Sequence, residues 1–397
     1  MSLDLVSIKS ISKQIRGVSY SPNDVNSEAS DTHVKLLRAN NVTENGINLS
    51  DVLFVNRKCV SEQQVLRKGD ILIVASSGSK KIVGRAILIE DDINCTFGAF
   101  CKVIRPTSKV NYSYLSYFFR SSDYRQRISH LSAGANINNL KNDDLDDLQI
   151  PLPPLPIQKR IAEILDAADA LRRKDQELLK KYDELAQAIF LDIFGDPVKN
   201  ERGWELKKIG DSIDFLTSGS RGWAKYYSKD GDLFLRINNV GYNSMRLEDK
   251  IFVKAPENAE SKRTCVRERD ILLSITADLG RTCVIPENFP RAYINQHLAL
   301  IRLKSGFNSD FVSSVLATDL GRNQFNKLNK GGVKAGLNFE DIKSIEFINP
   351  PVDLQNRYSN LIRDIRALYD FSKNTLDISE NLFNSLIQKA FKGDLVS

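Results

Sequence analysis

Few residues in this sequence have the types and spacing that a catalytic centre needs. Asn349-Pro350-Pro351-Val352 is close to the Asn-Pro-Pro-aromatic motif with which amino-methyltransferases hold an extruded base, but the aromatic residue is missing. Glu248 and Lys250 have the spacing of a nuclease motif, without a convincing partner carboxylate. Dinucleotide, P-loop and zinc-protease motifs are absent. We therefore predict that the chain has no catalytic centre.

Cysteine and histidine spacing excludes two further kinds of site. The five cysteines form no Cys-x-x-Cys pair, so neither a disulfide framework nor a zinc ribbon is expected. The three histidines, His33, His130 and His297, are far apart in the sequence. Local metal-ligand spacing is absent, and we predict no metal site.

The charge distribution points to binding instead of catalysis. The chain of 397 residues has a net charge of +6, but residues 1–142 and 198–339 each carry +7, whereas residues 143–197 carry −6 and residues 340–397 carry −2. Two separate basic regions are typical of a protein that binds a polyanion at two places, since phosphate neutralisation supplies most non-specific nucleic-acid affinity. Ordinary variation of surface charge is the alternative.

The sequence contains an internal repeat of about half its length. Residues 37–42 (LRANNV) recur as residues 235–240 (LRINNV), and further on the register is constant at 197 residues, through Pro153-Pro154 and Pro350-Pro351. At Asn349-Pro350-Pro351-Val352 the repeat therefore preserves the prolines and not the asparagine, which favours a helix start over a methyltransferase motif. A repeat this long indicates a duplicated domain.

Each half predicts an α+β domain followed by a long helix. β-rich runs at residues 71–75, 85–89, 271–275 and 298–303 alternate with Gly, Asn and Ser, and short helices are expected at residues 112–119 and 309–316. A proline-rich segment then ends each domain before a helix begins. The predicted fold class is α+β: two α+β domains separated by two long antiparallel helices that form a coiled coil, with an internal pseudo-two-fold repeat.

The predicted long helices carry heptad patterns. Apolar residues at 157, 161, 164, 168, 171, 178, 182, 185 and 189 form a stripe on the first helix, and residues 354, 358, 361, 365, 368, 382 and 386 form one on the second. Neither helix can bury its stripe alone, so we expect the two stripes to pack against each other. The alternative is that each helix folds back as an ordinary core helix.

With these motifs in place, the sequence resembles the specificity subunit of type I restriction-modification enzymes over essentially its whole length. The resemblance is carried by the proline entry with Gln158 and Arg160, its repeat mate with Gln355 and Arg357, the junction Phe194-Gly195-Asp196-Pro197, and the loops at Gly134 and Gly331. It implies two target-recognition domains, residues 1–150 and 198–348, and two conserved helical spacers, residues 151–197 and 349–397. It also implies that the two Gln and Arg pairs contact partner subunits.

The resemblance further implies the partners and cofactors. The chain would bind double-stranded DNA, two methyltransferase subunits that hold S-adenosylmethionine, and restriction/translocase subunits that use ATP and Mg, and would hold no cofactor itself. It would direct adenine methylation and restriction without catalysing either. Because the halves differ outside the shared motifs, we expect the DNA target to be asymmetric and bipartite.

The candidate DNA-binding residues fall into two groups. Those kept in both halves, Arg38 with Arg236 and Asn40 with Asn238, fit folding or phosphate contacts, because shared residues cannot distinguish unlike half-sites. Candidate base readers lie in polar loops where the halves differ: Ser76, Ser77, Ser79, Lys80, Lys81, Arg85, Asn136 and Asn138 in the first half, and Thr276, Arg281, Asn295, Gln296, His297 and Lys334 in the second. For each, solvation of an ordinary loop is the alternative.

Two further expectations concern location and a rival function. No apolar run reaches the roughly 18 residues needed to cross a bilayer, and no signal-peptide core is present, so we expect a soluble cytoplasmic protein without membrane contact. The rival function is a non-catalytic two-headed protein-interaction scaffold. Binding to duplex DNA distinguishes the two, because a phosphate-binding protein loses affinity as salt rises.

Overall fold

The chain folds into two compact units. The computed structural model describes residues 4–44, 46–133, 139–329 and 336–396. Unit 1 comprises Met1–Leu179 and Phe371–Ser397, and unit 2 comprises Lys180–Asp370. Both boundaries fall inside long helices, so each unit contains one α+β domain and a segment of each long helix. In the described residues, no helix is long and apolar enough to span a membrane.

Unit 1 contains short strands and helices, and most of the first long helix. The strands are β1 (Leu5–Ser7), β2 (Ser12–Arg16), β3 (Val25–Asn26), β4 (His33–Leu37), β5 (Leu53–Asn56), β6 (Ile71–Val74), β7 (Ala86–Leu88), β8 (Cys95–Phe97), β9 (Cys101–Pro106) and β10 (Gln149–Pro151). The helices are α1 (Ile8–Ile11), α2 (Tyr112–Phe118), α3 (Ser122–Ala133), α4 (Asn142–Asp146) and α5 (Leu155–Phe194), which continues into unit 2. The sheets have the strand orders β2-β9-β6-β7, β3-β5-β4-β8 and β1-β10.

Unit 2 repeats this plan. Its strands are β11 (Leu206–Lys208), β12 (Ile213–Ser218), β13 (Tyr227–Ser228), β14 (Asp232–Leu235), β15 (Phe252–Val253), β16 (Ile271–Ser274), β17 (Thr282–Val284), β18 (Ala292–Ile294), β19 (Leu298–Leu303) and β20 (Glu346–Ile348). Its helices are α6 (Ile209–Ser212), α7 (Ala259–Thr264), α8 (Ser309–Ala317), α9 (Asp319–Leu328), α10 (Phe339–Ser344) and α11 (Val352–Lys392), which continues into unit 1. The strand orders β12-β19-β16-β17, β13-β15-β14-β18 and β11-β20 match those of unit 1, as the sequence repeat predicts.

A doubly buried strand lies inside the main sheet of each unit. In β6, Ile71 and Ile73 pack into one hydrophobic cluster with α2, and Leu72 and Val74 pack into another on the opposite face. Burial on both faces explains why this strand is continuously apolar rather than alternating. The strand β16 is divided between two clusters in the same way. The loops that leave these strands are thereby fixed to a rigid core.

The two long helices pack antiparallel. In unit 1, Gln176 of α5 donates to the Glu380 carboxylate of α11 at 3.3 Å. In unit 2, the rings of Phe190 and Phe194 lie 5.6 and 5.3 Å from that of Tyr358. In unit 1, Arg172 of α5 also lies 5.4 Å from the Phe383 ring of α11, so residue numbers rise along α5 while those of the α11 partners fall, and the helices run in opposite directions there. With the two α+β domains, this confirms the predicted fold class.

The predicted heptad stripe was partly wrong about which face is buried. Ile161 and Ala168 are buried, but Leu171, Leu178 and Leu185 are 47%, 39% and 46% exposed. The buried face instead includes charged residues, which a search for apolar residues does not detect. In addition, a straight helix rotates by about 20° per heptad relative to a strict seven-residue repeat, so the buried face moves away from the predicted stripe. The corresponding exposed residues of α11 are Leu361, Leu368 and Leu382.

Candidate nucleic-acid interface

A shared asparagine anchors the loop that follows the fourth strand of each unit. Asn41 accepts a hydrogen bond from the Arg38 backbone N–H at 2.8 Å and donates to the carbonyl oxygens of Asn48 and Asp51, both at 2.8 Å. Asn239 makes the equivalent three bonds at 2.9, 3.0 and 3.0 Å. The repeated sequence LRxNNV is therefore a structural motif that fixes this loop.

The two predicted arginines of this motif support the same loop. Arg38 forms an ion pair with Asp51 at 2.9 Å, and Arg236 forms one with Asp249 at 2.6 Å. Each guanidinium is balanced by an adjacent carboxylate, which favours a folding role over a phosphate contact. The other two shared candidates, both exposed, are Asn40, which donates to the Asp51 carboxylate at 3.1 Å, and Asn238.

Three loops meet at one edge of the main sheet in unit 1. The backbone N–H groups of Ala75 and Ser76, just after β6, donate to the Phe100 carbonyl oxygen at 2.8 and 3.0 Å. The Leu140 N–H donates to the Ala75 carbonyl oxygen at 2.8 Å, and Ser76 forms a β-bridge with Asn139. The loops after β6, after β8 and before α4 are therefore held side by side.

Unit 2 has the same arrangement with different residues. The Ile275 N–H donates to the His297 carbonyl oxygen at 3.0 Å, and the Leu337 N–H donates to the Ile275 carbonyl oxygen at 2.9 Å. Thr276 forms a β-bridge with Gly336. We call this arrangement the three-loop edge; it is formed by Ser76, Phe100 and Asn139 in unit 1, and by Thr276, His297 and Gly336 in unit 2.

Four predicted base readers lie together at the three-loop edge of unit 2. His297 Nδ1 lies 2.6 Å from Thr276 Oγ1, and His297 Nε2 lies 3.0 Å from the Gln296 amide nitrogen. Because an amide nitrogen only donates, Nε2 is the acceptor of this pair, and the Nδ1–H donates to the Thr276 oxygen. Asn295 is buried beside them and accepts from the His297 backbone N–H at 3.1 Å. The Thr276 hydroxyl proton and the Gln296 carbonyl oxygen are then a donor and an acceptor for a ligand.

A cavity of about 170 Å³ opens beside these residues. Trp223, Tyr227 and Phe234 form its aromatic walls, and residues 295–297 form its polar wall. The rings of Trp223 and Phe234 are stacked with centroids 5.1 Å apart. Trp223 and Phe234 are each 3% exposed, so Tyr227, which is 45% exposed, is the ring that a planar group such as a nucleic-acid base could contact.

The predicted polar loop of unit 1 is basic, and its backbone is held by hydrogen bonds from Arg125. Its predicted residues are either half-buried, Ser76 and Ser77, or exposed, Ser79, Lys80 and Lys81. The Arg125 guanidinium donates to the carbonyl oxygens of Lys81 and Val83, each at 3.0 Å. A held backbone with lysines in solvent can contact phosphates without being reordered on binding.

Arg85 and Arg281, both predicted DNA-binding residues, connect this region to the anchored loops. Arg85 donates to the carbonyl oxygen of Val42 at 3.2 Å, and Arg281 reaches the equivalent carbonyl in unit 2 at 3.5 Å. Their ion-pair partners differ: Glu44 at 3.2 Å for Arg85 and Asp278 at 2.5 Å for Arg281. The two arginines therefore brace the same loop in both units.

A second cavity, of about 320 Å³, lies in unit 1 and is mostly cationic. Its charged lining consists of Lys81, Arg85, Arg120, Arg125 and Arg172 together with Glu44 and Glu380. The excess of cationic side chains gives this surface a positive potential, which favours contact with anionic groups.

The described residues give no support for a metal site or for a catalytic thiol. In the ranges that the structure describes, no group of three or more His, Cys, Asp or Glu side chains could hold a metal ion. Burial raises the pKa of Cys101 and of Cys283 to about 12, so both thiols are protonated at neutral pH. These cysteines are core residues.

The predicted partner-binding residues divide into two buried and two exposed. Gln158 and Gln355 are each 1% exposed. Gln158 accepts from the Asn111 backbone N–H at 2.8 Å and donates to a carbonyl before α5 at 2.7 Å; Gln355 makes equivalent bonds at 3.2 and 2.8 Å. These amides join each long helix to the domain before it and leave no side-chain surface for another subunit. The exposed pair is Arg160 and Arg357.

Three predicted DNA-binding residues lie outside the described residues: Asn136, Asn138 and Lys334. Gly134 and Gly331 lie outside them as well. The first described residues after these two segments, Asn139 and Gly336, belong to the three-loop edge.

Sequence reasoning missed two features. Asp169, a buried carboxylate, is bound by Arg172 of the same helix and by Arg120, which is 49 residues away, so no local pattern relates it to Arg120. Phe100 lies in unit 1 where His297 lies in unit 2. A residue-by-residue alignment of the two halves at the register of 197 would have revealed that an aromatic ring stands opposite a polar one.

The fold consists of two repeated α+β domains with unlike three-loop edges, and comparison with known proteins gives the family. The model of the type I restriction modification DNA specificity domain matches residues 37–181 and 201–383. The two matches correspond to the two repeated halves. The chain therefore belongs to the family of type I restriction-modification DNA specificity subunits, and it is a DNA-recognition subunit without a catalytic role.

Individual relatives are similar over most of their length. The chain is 28% identical to the type I restriction enzyme StySPI specificity subunit of Salmonella potsdam and 29% identical to the EcoKI specificity subunit of Escherichia coli (strain K12). Each alignment covers 98% of this chain and 88% of the relative. The crystal structure of a type I restriction-modification S subunit from M. genitalium has a TM-score of 0.61 at 14% identity, with 98% of this chain and 96% of that chain covered, which shows a shared fold.

Proposed function

We propose that the chain recognises an asymmetric, bipartite DNA target, residues 1–150 reading one half-site and residues 198–348 the other. The observation that carries this proposal is the three-loop edge, which has equivalent backbone hydrogen bonds in both units and unlike side chains. A shared backbone presents each edge to DNA in the same way, and unlike side chains select unlike bases.

The side chains near each edge divide by the part of DNA that they suit. Lys80 and Lys81 are exposed point charges, which contact phosphates whatever the sequence. The Thr276 hydroxyl and the Gln296 carbonyl form a donor and acceptor pair, which fits the patterns displayed by base edges in the major groove. The basic loop therefore contributes affinity, and the polar edge of unit 2 contributes selectivity.

In this proposal the chemistry belongs to partner subunits in the cytoplasm. Two methyltransferase subunits with S-adenosylmethionine methylate adenine, and restriction/translocase subunits use ATP and Mg. The part of α5 that lies in unit 1 offers a surface for partners, since Leu171 and Leu178 are exposed seven residues apart, which is the spacing of one coiled-coil face. Arg160 and Arg357, which are exposed near the starts of α5 and α11, are further candidates for contact with a partner, one in each unit.

A domain exchange tests the proposal. Residues 1–150 are replaced by the matching domain of a relative, and the modified adenines are mapped in the genome of cells that also express the methyltransferase subunits. One half-site should change, while the other half-site and the number of base pairs between them stay constant. An unchanged modified sequence contradicts the proposal.

We further propose that residues 151–197 and 349–397 set the number of unread base pairs between the half-sites. Deletion of residues 172–178 together with 369–375 removes about 10 Å from each helix at 1.5 Å per residue, which corresponds to about three base pairs. Mapping of modified adenines should show a spacer shorter by about that number. A spacer of the original length contradicts the role of the helices.

A further inference from the structure

Phe100 is an exposed aromatic residue on a rigid support. The residue lies between β8 and β9 and is 66% exposed. Its carbonyl oxygen accepts from two backbone N–H groups, those of Ala75 and Ser76. On either side of it, the Gly98 N–H donates to Leu37 at 2.9 Å and the Cys101 N–H donates to Gly98 at 2.8 Å. The backbone is therefore fixed while the ring extends into solvent.

The ring has no evident role in folding. Phe100 belongs to none of the hydrophobic clusters of the described residues in unit 1. Covering the exposed ring with a ligand removes apolar surface from water, which is favourable. The position of the ring, at the edge that the proposed function assigns to DNA, indicates what that ligand is.

The equivalent residue of unit 2 defines the chemistry by contrast. His297 and its neighbours Thr276 and Gln296 form a hydrogen-bonded group at the same place. Phe100 can neither donate nor accept a hydrogen bond. Among the groups displayed in the major groove, the thymine 5-methyl group is the apolar one. A phenyl ring there can distinguish thymine from cytosine only through that methyl group.

We propose that Phe100 is a specificity-determining residue that contacts the 5-methyl group of a thymine in the half-site read by residues 1–150. This inference rests on the proposed function and names the base contact of one unit. The loop that donates to the Phe100 carbonyl oxygen through Ser76 continues to Lys80 and Lys81, which are exposed and can contact phosphates. Unit 1 would therefore read one base pair by apolar contact, whereas unit 2 reads by hydrogen bonds.

Substitution of thymine by deoxyuridine tests this contact directly. Once the half-site is mapped, each of its thymines is replaced singly in a duplex, and binding is measured for the complex of this chain with its methyltransferase subunits. Loss of the methyl group at one position should weaken binding of the unmodified protein about fourfold, the value of one buried methyl-sized group. With Phe100→Ala, the same replacement should have no effect.

The controls separate this inference from the proposed function. Tyr112→Ala removes another partly exposed aromatic residue of unit 1, away from the edge, and should retain the full response to deoxyuridine. Phe100→Leu keeps an apolar side chain and should retain part of it. A deoxyuridine response that persists in Phe100→Ala, the absence of any response in the unmodified protein, or a fluorescence increase from 2-aminopurine that reports ring insertion between bases would each overturn the inference. Failure to bind any duplex would instead contradict the proposed function.

Discussion

The two units share one backbone plan and reverse the charges at the contact between domain and helix. In unit 1 the carboxylate belongs to the helix: Asp169 of α5, 4% exposed, is bound by Arg120 of the domain at 2.9 Å. In unit 2 the arginine belongs to the helix: Arg366 of α11 donates to Asp310 of the domain at 2.6 Å and to the Asn243 side chain at 3.0 Å. Asp169 and Arg366 occupy equivalent positions of the repeat.

This difference shows which parts of a duplicated domain can change independently. The LRxNNV loop anchors, the three-loop edge and the buried glutamines have the same hydrogen bonds in both units, so they preserve the frame. The ion pairs and the side chains at the edge differ. Each domain therefore has its own ion pairs with its helix segment. The side chains at each three-loop edge can change to select other bases without loss of the hydrogen bonds that both units share.

The largest expected effect comes from removing the carboxylate of unit 1. Asp169→Ala leaves Arg120, Arg172 and Arg173 without their shared partner, and loss of one member of a buried ion pair costs about 3–5 kcal/mol. Hydrogen exchange should show the loss in the amides of unit 1. Glu163→Ala, which removes an exposed pair with Arg160, is the control and should cost less than about 1 kcal/mol. Equal losses in the two variants would show that the Asp169 cluster is not structural.

The same carboxylate predicts a specific acid sensitivity. Burial by itself would raise the pKa of Asp169, but the hydrogen bond and charge of Arg120, with those of Arg172 and Arg173, hold the pKa well below its ordinary value of 3.8. A carboxyl group whose pKa is lower in the folded state contributes stability that is complete above its unfolded pKa and is lost as the pH falls below it. The free energy of unfolding of unit 1 should therefore fall more steeply below about pH 4 in the unmodified chain than in Asp169→Asn. Parallel curves would contradict this assignment.

A smaller effect is expected from the buried glutamines, which allow a matched comparison between the units. Gln158→Ala and Gln355→Ala each remove an acceptor from a backbone N–H and a donor to a carbonyl, which costs about 1–3 kcal/mol. The bonds of Gln158 are shorter, so its unit should lose more protection from hydrogen exchange. The exposed neighbour Lys159→Ala is the control. If these variants kept their stability and lost binding of the methyltransferase subunits, the amides would be partner contacts after all.

The smallest effect concerns affinity alone. Lys80→Ala with Lys81→Ala removes two exposed charges from the unit 1 loop, which should lower the slope of log affinity against log salt by up to about 2. The modified sequence should stay the same, because phosphate contacts do not depend on the bases. A changed modified sequence would place these lysines among the base readers.

The sequence predicted the positions of the helices and strands better than it predicted which of their faces are buried. The expected strand at residues 298–303 is β19, and the expected helix at residues 112–119 is α2, because short apolar runs and capped apolar stretches are local signals. The buried face of α5 was partly missed, since it includes Asp169 and Arg172, whose partners Arg120 and Glu380 are distant in the sequence. The gathering of Thr276, Gln296 and His297 depends on sheet topology, which residue types alone do not determine.

The central claim is that unlike side chains on equivalent edges read unlike half-sites. The most direct test is to map modified adenines in cells that express Gln296→Ala with His297→Ala together with the methyltransferase subunits. We expect the half-site read by residues 198–348 to tolerate additional bases at one or two positions, with the other half-site and the spacer unchanged, since each lost base contact removes about 1–3 kcal/mol of discrimination. Identical half-sites in the variant and the unmodified protein, or relaxation of both half-sites together, would contradict the claim.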